Sequence, residues 1–415
     1  MIVENPKKDI LFLCQYFYPE YISCATLPFD TAKYLASQGF TVDSLVGYPK
    51  EYCAGEHLPL EETVNGVGIK RVRYIQLGRV RPICRLINYF SFTFHVWLKT
   101  SYLKNYKSVI VYSAPPVLPI VPIRAKRKYG IKLVFVAYDI YPEVAYASRS
   151  LAPGDVISRV MNWINKRLYR AADCVVALTD EMREFLLANR PELSRERVVT
   201  ISNWAHEKEY RPDHEAYERF GYQDGQFVVS YFGNMGTVQD IETIMEAAEL
   251  LKDDDRVRFL MAGHGNKKDD VEARIKDRGL KNVQLFGFLT EKEFRQAVAI
   301  SSCGIVSLEK GLKGTCAPSK YYSYLLGGQS ILAVVERDSY LSVEVEEKQI
   351  GYCVEPGDSA GLRDAILAMA ENPGECAEMG RRARELYEER YAYEVAMEKY
   401  RKVFCEMVDL VEMAQ

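Results

Sequence analysis

Three short stretches of this sequence put residues able to do chemistry where an apolar run gives way to a helical pattern. The first is VVSYFGNMGTVQDIETI, with Gly233, Asn234, Met235 and Gly236 at the junction. Glycines there let backbone N–H groups approach a ligand, and a helix start behind them favours an anion such as phosphate. The same residues also suit a tight turn that needs positive φ. The second is GLKGTCAPSKYYSYLLGG, in which Lys313 and Lys320 flank a small-residue loop containing Gly314 and Thr315. Pro318 and Ser319 read as a helix start, with Ser319 as the cap. Lys320 then projects from the first turn, where dipole and ammonium together can hold a diphosphate; the alternative is an ordinary solvated lysine. The third is VFVAYDIYPEV, where Asp139 and Glu143 follow a buried-type strand. Asp139 is either a general base or hydroxyl-orienting carboxylate, or it caps the next helix.

A fourth stretch is of a different kind. Arg71, Arg73, Arg79, Arg81 and Arg85 lead into LINYFSFTFHVWLKTSYL, with Lys99, Lys104 and Lys107 near its end. Aromatic residues bounded by cations suit an interfacial helix on anionic lipid, or else a core helix with a solvated basic flank. Phe90, Phe92, Phe94 and Trp97 cover more than one helical face, which favours the interfacial reading. Asn88, His95 and Lys99 interrupt the run from Leu86 to Leu103, so it does not read as a transmembrane span.

Other chemistries find little support. The five histidines (His57, His95, His206, His214, His264) form no pair at metal-ligand spacing, and no Cys/His cluster or C-x-x-C pair occurs among the ten cysteines. There is no G-x-S-x-G elbow and no Walker loop, and GHGNKKDD lacks the third glycine of a dinucleotide fingerprint. Asp253 to Asp255 read as a solvated turn. A formal net charge of -3 argues against nucleic acid as a partner. Scattered cysteines inside apolar runs (Cys14, Cys174, Cys303) read as reduced thiols of a cytoplasmic protein, and the N-terminus does not read as a signal peptide.

The elements that must position these residues form two series. In the first half, strand candidates begin at Ile10, Thr41, Ser108, Lys132 and Cys174, with helical stretches such as LPFDTAKYLASQG and DVISRVMNWINKRLYRAA between them. The pattern restarts at Phe227 and runs through RFLMAG, VQLFG, CGIVSL, ILAVV and GYCVEP. Continuous apolar strands alternating with helices indicate parallel sheets covered on both faces. The fold class is α/β, with two Rossmann-like domains whose ligand sites lie at the carboxyl ends of the strands. The expected division is residues 1–205 and 206–390, joined near NWAHEKEYRPD, with a last helix over about 391–415 returning to the first domain.

In order and spacing, QYFYPE, SAPPVLP, YDIYPE, ADCVVALTDEMREFLL, VVTISNWAHEKEYRPD, FGNMGTVQDIETI, AGHGNKKDDVE, GFLTEKEF, GTCAPSKYYSYLLGG and GYCVEPGD resemble the family-4 glycosyltransferases of the GT-B fold. The likeness runs almost end to end and is nearest the colanic acid and O-antigen group, with its fucosyl and N-acetylfucosaminyl transferases. It implies a retaining enzyme that uses a nucleotide-diphosphate sugar, such as a UDP-sugar, with no metal and no other cofactor. By position, Gly233 to Gly236 would lie beside the donor diphosphate and Lys320 would supply it positive charge. Gly287, Phe288 and Leu289 would border the base, Asp139 would sit near the transferred sugar, and Glu143 would support its loop. The family's two glutamates, eight residues apart, fall on Thr315 and Ser323, and its arginine and lysine after the first donor-domain strand fall on Asn234 and Gln239. Lys313 and Lys320 would then carry more of the phosphate charge, with Glu309 a candidate for one lost carboxylate. The implied partners are the nucleotide-sugar donor, a lipid-linked or oligosaccharide acceptor, and the inner membrane surface, met peripherally through roughly 71–107. Two other readings remain: a nucleotide-sugar hydrolase or epimerase, and a non-catalytic sugar-nucleotide binding scaffold.

Overall fold

The computed structural model describes residues 6–50, 57–78, 82–205, 214–223 and 225–408. Arg79, Arg81 and most of the expected join, 206–213, lie outside the described residues. The chain forms two compact units. One comprises Met1–Ser202, Gly314–Ala317 and Glu394–Gln415, and the other Asn203–Lys313 and Pro318–Tyr393. The assignment of Gly314–Ala317 to the first unit was not anticipated from the sequence.

The first unit holds β1 (Lys8–Cys14), β2 (Val42–Gly47), β3 (Glu61–Val64), β4 (Val67–Val72), β5 (Tyr106–Tyr112), β6 (Lys132–Ala137), β7 (Cys174–Ala177) and β8 (Val198–Thr200). Their order is β3-β4-β2-β1-β5-β6-β7-β8, parallel except where β3 runs against β4. The β3–β4 hairpin turns on Asn65 and Gly66, both at positive φ (50° and 80°), the backbone a two-residue hairpin requires. Right-handed crossovers put the β5–β6 and β6–β7 connections on one face and the β1–β2 connection on the other. On the first of these faces the helix Ile120–Tyr129 packs against both Pro82–Trp97 and Val156–Ala171.

The second unit is a wholly parallel sheet of β9 (Phe227–Asn234), β10 (Val257–His264), β11 (Val283–Phe286), β12 (Cys303–Ser307), β13 (Ser330–Val334) and β14 (Gly351–Val354). The order β11-β10-β9-β12-β13-β14 reverses between β9 and β12. Such a switch point leaves a crevice at the carboxyl edge of the sheet, where α/β folds bind ligands. The helix Lys320–Gly327 follows β12 and presents its first turn at that edge. It buries Tyr321, Tyr322, Tyr324, Leu325 and Leu326. Tyr324 crosses the sheet: its hydroxyl accepts from Phe232 N–H (2.9 Å) and donates to Ser230 O (3.3 Å). The ring lies flat on β12 because position 304 has no side chain; a Cβ there would sit 2.4 Å from the ring carbons.

Gly304→Ala is therefore expected to cost about 1–3 kcal/mol, since neither ring nor strand can give way. Gly374 lies inside the helix Pro373–Leu386 with nothing within 4 Å of its Cβ position. There the same substitution should gain about 0.4–1 kcal/mol by stiffening the unfolded chain. Calorimetric melting of the two variants checks the pair.

Candidate functional site

In the second unit the site is built from two interlocked turns. β9 and β10 stay in parallel register to their last residues, Gly233 opposite Gly263 and Asn234 opposite His264. Gly233, Gly263 and Gly265 adopt φ of 127°, 149° and 140°. A Cβ on Gly263 would lie 1.8 Å from Gly233 O, and one on Gly265 2.3 Å from Met235 O. Hydrogen bonds close the lock, from Met235 N–H to His264 O (2.6 Å) and from Lys267 N–H to Met235 O (2.9 Å). The positive-φ turn is thus real at Gly233.

The expectation of an N–H cradle over Gly233–Gly236 needs correcting. Met235 N–H is engaged by His264, and Gly236 N–H donates to Gln239 Oε1 (3.1 Å). The Met235 side chain is fully buried in the core. Asn234 is exposed, its amide turned toward Gln239 (3.4 Å).

Lys320 lies across this turn. Its Cε would be 3.5 Å from a Cβ on Gly233, and its Nζ donates to the Tyr231 hydroxyl at 2.7 Å, 4.0 Å from the ring centroid. Tyr231 in turn donates to Asn234 O (2.7 Å). Burial pushes the Lys320 ammonium down from 10.5 to about 7 and pushes the Tyr231 hydroxyl up, so the tyrosine stays protonated. Among the described residues no carboxylate pairs with Lys320. From behind, Glu344 anchors the same helix by accepting from Tyr321 (2.7 Å), Tyr391 (2.7 Å) and Arg390 (2.9 Å).

The other donor-side candidates divide. Ser319 does not cap: it is already helical (φ -63°, ψ -26°), and its side chain makes no cap bond. Lys313 pairs with Asp338 at 2.5 Å on the exposed surface, so its charge is engaged there. Ser323 is half-buried one turn after Lys320. Glu309 is held by Lys267 (2.8 Å), which also donates to Gln239 O (2.7 Å). Gly287, Phe288 and Leu289 follow β11, and the Phe288 ring, 54% exposed, stacks on His264 at 5.5 Å. Sequence reasoning missed Tyr231, Lys267 and His264. The Gly263-x-Gly265 spacing could have pointed to the last two, whereas Tyr231 reads as one more strand residue.

In the first unit Asp139 sits two residues past β6. Ser113 Oγ accepts from its N–H and from that of Tyr138, both at 3.1 Å. Ile140 N–H donates to Thr315 O (2.8 Å), and Asp139 forms an isolated antiparallel bridge with Cys316. Gly314 N–H donates to Glu181 Oε2 (3.0 Å), so the small-residue loop is stitched to the Asp139 loop, with Thr315 buried. Glu143 pairs with Arg190 (2.6 Å), and Asn165 donates to Tyr141 O (2.6 Å), fixing the loop from its other side. The next helix starts at Glu143 with Pro142 in the cap position, so Asp139 caps nothing. Desolvation pushes its carboxyl up from 3.8 to about 6.

The fourth stretch is partly structural. Arg71 is buried, paired with Glu62 at 2.5 Å and donating to Pro59 O, and Lys107 pairs with Asp9 at 2.8 Å. Arg85, Lys99 and Lys104 remain exposed. Among the described residues no helix is long and apolar enough to cross a membrane, and no three His, Cys, Asp or Glu side chains gather as a metal site.

Two profiles match the chain: a glycosyl transferase 4-like domain over residues 29–204 and glycosyl transferases group 1 over 214–386. A Pseudomonas aeruginosa protein named as glycosyltransferase WbjE is 28% identical over 274 residues, 65% of this chain and 67% of that protein. The Escherichia coli K12 protein WcaI, described as a colanic acid biosynthesis glycosyl transferase, is 26% identical over 190 residues, 43% of this chain. The match spans 46% of WcaI's own length. Sucrose-phosphate synthase from Thermosynechococcus elongatus superposes with TM-score 0.78 at 14% identity, covering 97% of this chain and all of that one. Anabaena HepE in complex with UDP-glucose superposes at 0.68 with 17% identity and the same coverage.

The two shifted groups leave opposite signatures on stability. For Lys320 the unfolded chain holds the proton more tightly, so the cost of burial is complete below about pH 7 and vanishes as pH rises toward 10.5. For Asp139 the cost is complete above about pH 6 and vanishes below 3.8. Lys320→Met should therefore gain about 1–3 kcal/mol near neutrality and lose that gain in alkali; Asp139→Asn should gain a similar amount that disappears in acid. Urea midpoints measured against the parent across the pH range check both signs.

Proposed function

Because the chain belongs to the two-domain glycosyltransferases described by the 4-like and group 1 profiles, we propose that it moves a sugar from a nucleotide diphosphate to a glycan acceptor with retention at the anomeric carbon. What carries this reading is Lys320, a half-buried cation without a carboxylate partner among the described residues, at a helix start on the carboxyl edge of a doubly wound sheet. A desolvated ammonium in that place is complementary to a diphosphate whose charge grows as the glycosidic bond breaks. Fixed charge and dipoles aimed at developing charge commonly supply the largest catalytic contribution.

In this mechanism the departing diphosphate oxygen takes the proton of the acceptor hydroxyl on the same face of the sugar, so no enzyme nucleophile is required. Lys320 and the helix N-terminus compensate the charge, and no metal is assigned to that task. Asp139, raised toward neutrality, orients a sugar hydroxyl as acceptor or donor. The complex of Anabaena HepE with UDP-glucose supports a uridine donor, and the colanic acid role of WcaI supports a polysaccharide intermediate as acceptor. We take that acceptor to be lipid-linked and reached from the cytoplasmic face, with the exposed residues between Arg85 and Lys104 of the basic aromatic region touching the membrane.

Binding of UDP should draw a proton onto Lys320. Isothermal titration at about pH 8 in buffers of different ionisation enthalpy should show uptake approaching one proton, absent in Lys320→Met. Affinity should fall as pH rises past about 7. Lys320→Ala should lower turnover about a hundredfold or more. UDP release that needs an acceptor lipid extract supports transfer. Steady release without it would mean hydrolysis, and binding without release under any condition would mean a scaffold.

A further inference from the structure

The three neighbouring helices on one face of the first unit's sheet share an unusual composition. Pro82–Trp97 with the turn Thr100–Asn105, then Ile120–Tyr129, then Val156–Ala171 contain no aspartate or glutamate, in a chain with 57 acidic residues against 54 basic ones. The middle helix exposes Arg124, Arg127 and Lys128. The Arg124 guanidinium lies 4.4 Å over the Trp97 ring of the first helix.

Each outer helix carries an apolar stripe facing water. On the first, Ile83, Ile87, Phe90 and Phe94, continued by Leu98, are between 38% and 65% exposed. Their steps of four, three, four and four residues keep them on one side, while Asn88, Phe92 and Val96 on the other side are buried. On the third, Val156, Val160 and Trp163 are 70%, 41% and 47% exposed, with Met161, Ile164 and Leu168 buried opposite. Arg167 stacks on Trp163 at 3.6 Å. Beside Leu98, Lys99 and Lys104 rim a shallow depression that also takes in Tyr102 and Asn105.

Folding places the buried sides of these helices but gives no reason for large apolar side chains in register on their outer sides. Two apolar stripes flanking a cationic ridge, whose helix carries no carboxylate of its own and engages only Lys126 with a neighbouring one, Asp173, match a surface that is anionic at its face and apolar just beneath. We propose that the whole three-helix face, and not the first helix alone, docks on an anionic lipid bilayer. Phe90, Phe94, Val160 and Trp163 enter the headgroup boundary, and Arg124, Arg127 and Lys128 meet lipid phosphates. This deepens the membrane reading above and rests on it, but it does not depend on the identity of donor or acceptor.

Sedimentation of the full chain with vesicles tests it. The parent should bind vesicles of equal parts phosphatidylglycerol and phosphatidylcholine and leave pure phosphatidylcholine, with release at high salt. Phe90→Asp with Phe94→Asp, Val160→Asp with Trp163→Asp, and Arg124→Gln with Arg127→Gln and Lys128→Gln should each weaken binding by about tenfold or more while melting like the parent. Tryptophan emission should shift to the blue on binding, and Trp163→Phe should diminish that shift. Parental binding by the Val160/Trp163 variant would overturn the three-helix face yet leave docking through the first helix standing. A parent that ignores anionic vesicles would overturn both, leaving transfer to a soluble acceptor untouched. Equal binding to phosphatidylcholine would overturn the role of the basic ridge.

Discussion

A half-buried ammonium held by a hydroxyl instead of a carboxylate is the interaction around which the second unit is arranged. Lys320 sits across the Gly233 turn, its charge met by Tyr231 oxygen and ring. Had an aspartate or glutamate been the partner, the lysine would be a stable ion pair with little reason to meet a phosphate. With a neutral oxygen the pocket remains short of negative charge. Tyr231 also grips Asn234 O, so one side chain fixes both the cation and the turn beneath it. The Glu344 cluster secures the helix from the opposite side and leaves its first turn open to a ligand.

The first unit prepares Asp139 by the same logic with the sign reversed. Its loop is fixed through main-chain groups by Ser113, Thr315 and Asn165, and beyond them by the Glu143–Arg190 ion pair. Almost every polar contact is made by the main chain, so the carboxyl itself is left desolvated and drawn toward its neutral form. Both candidate groups thus owe their shifted titration to solvent exclusion, and both lower the stability of the fold that holds them.

Much of this was legible from residues alone. The second sheet could be read strand by strand, because each strand is a short β-rich run bounded by helical pattern. Asp139 and Lys320 were visible because they follow such runs. β3, β4 and β8 were not: Glu61–Val64 is half exposed, Val67–Val72 carries Gly68, Lys70 and Arg71, and Val198–Thr200 has three residues. The Asn65-Gly66 pair was the readable sign of that hairpin. The Ser319 cap and the N–H cradle failed for a related reason. Sequence shows which groups exist but not which are already engaged, and only the β9–β10 register reveals that Met235 N–H belongs to His264. Arg71, counted as a surface cation, is buried against Glu62 because the hairpin carries it inward.

The interlock of the Gly233 turn with Gly263 and Gly265 has a consequence for how this protein can change. With 1.8 Å between a would-be Cβ and the facing carbonyl oxygen, even alanine at 263 pushes on the turn that Lys320 covers. A diversity library spanning both turns would return active clones that vary at Asn234 and His264, whose side chains are exposed, and are blank at the glycines. Innovation in what this edge of the sheet recognises must therefore come from the side chains around the knot and not from the knot itself.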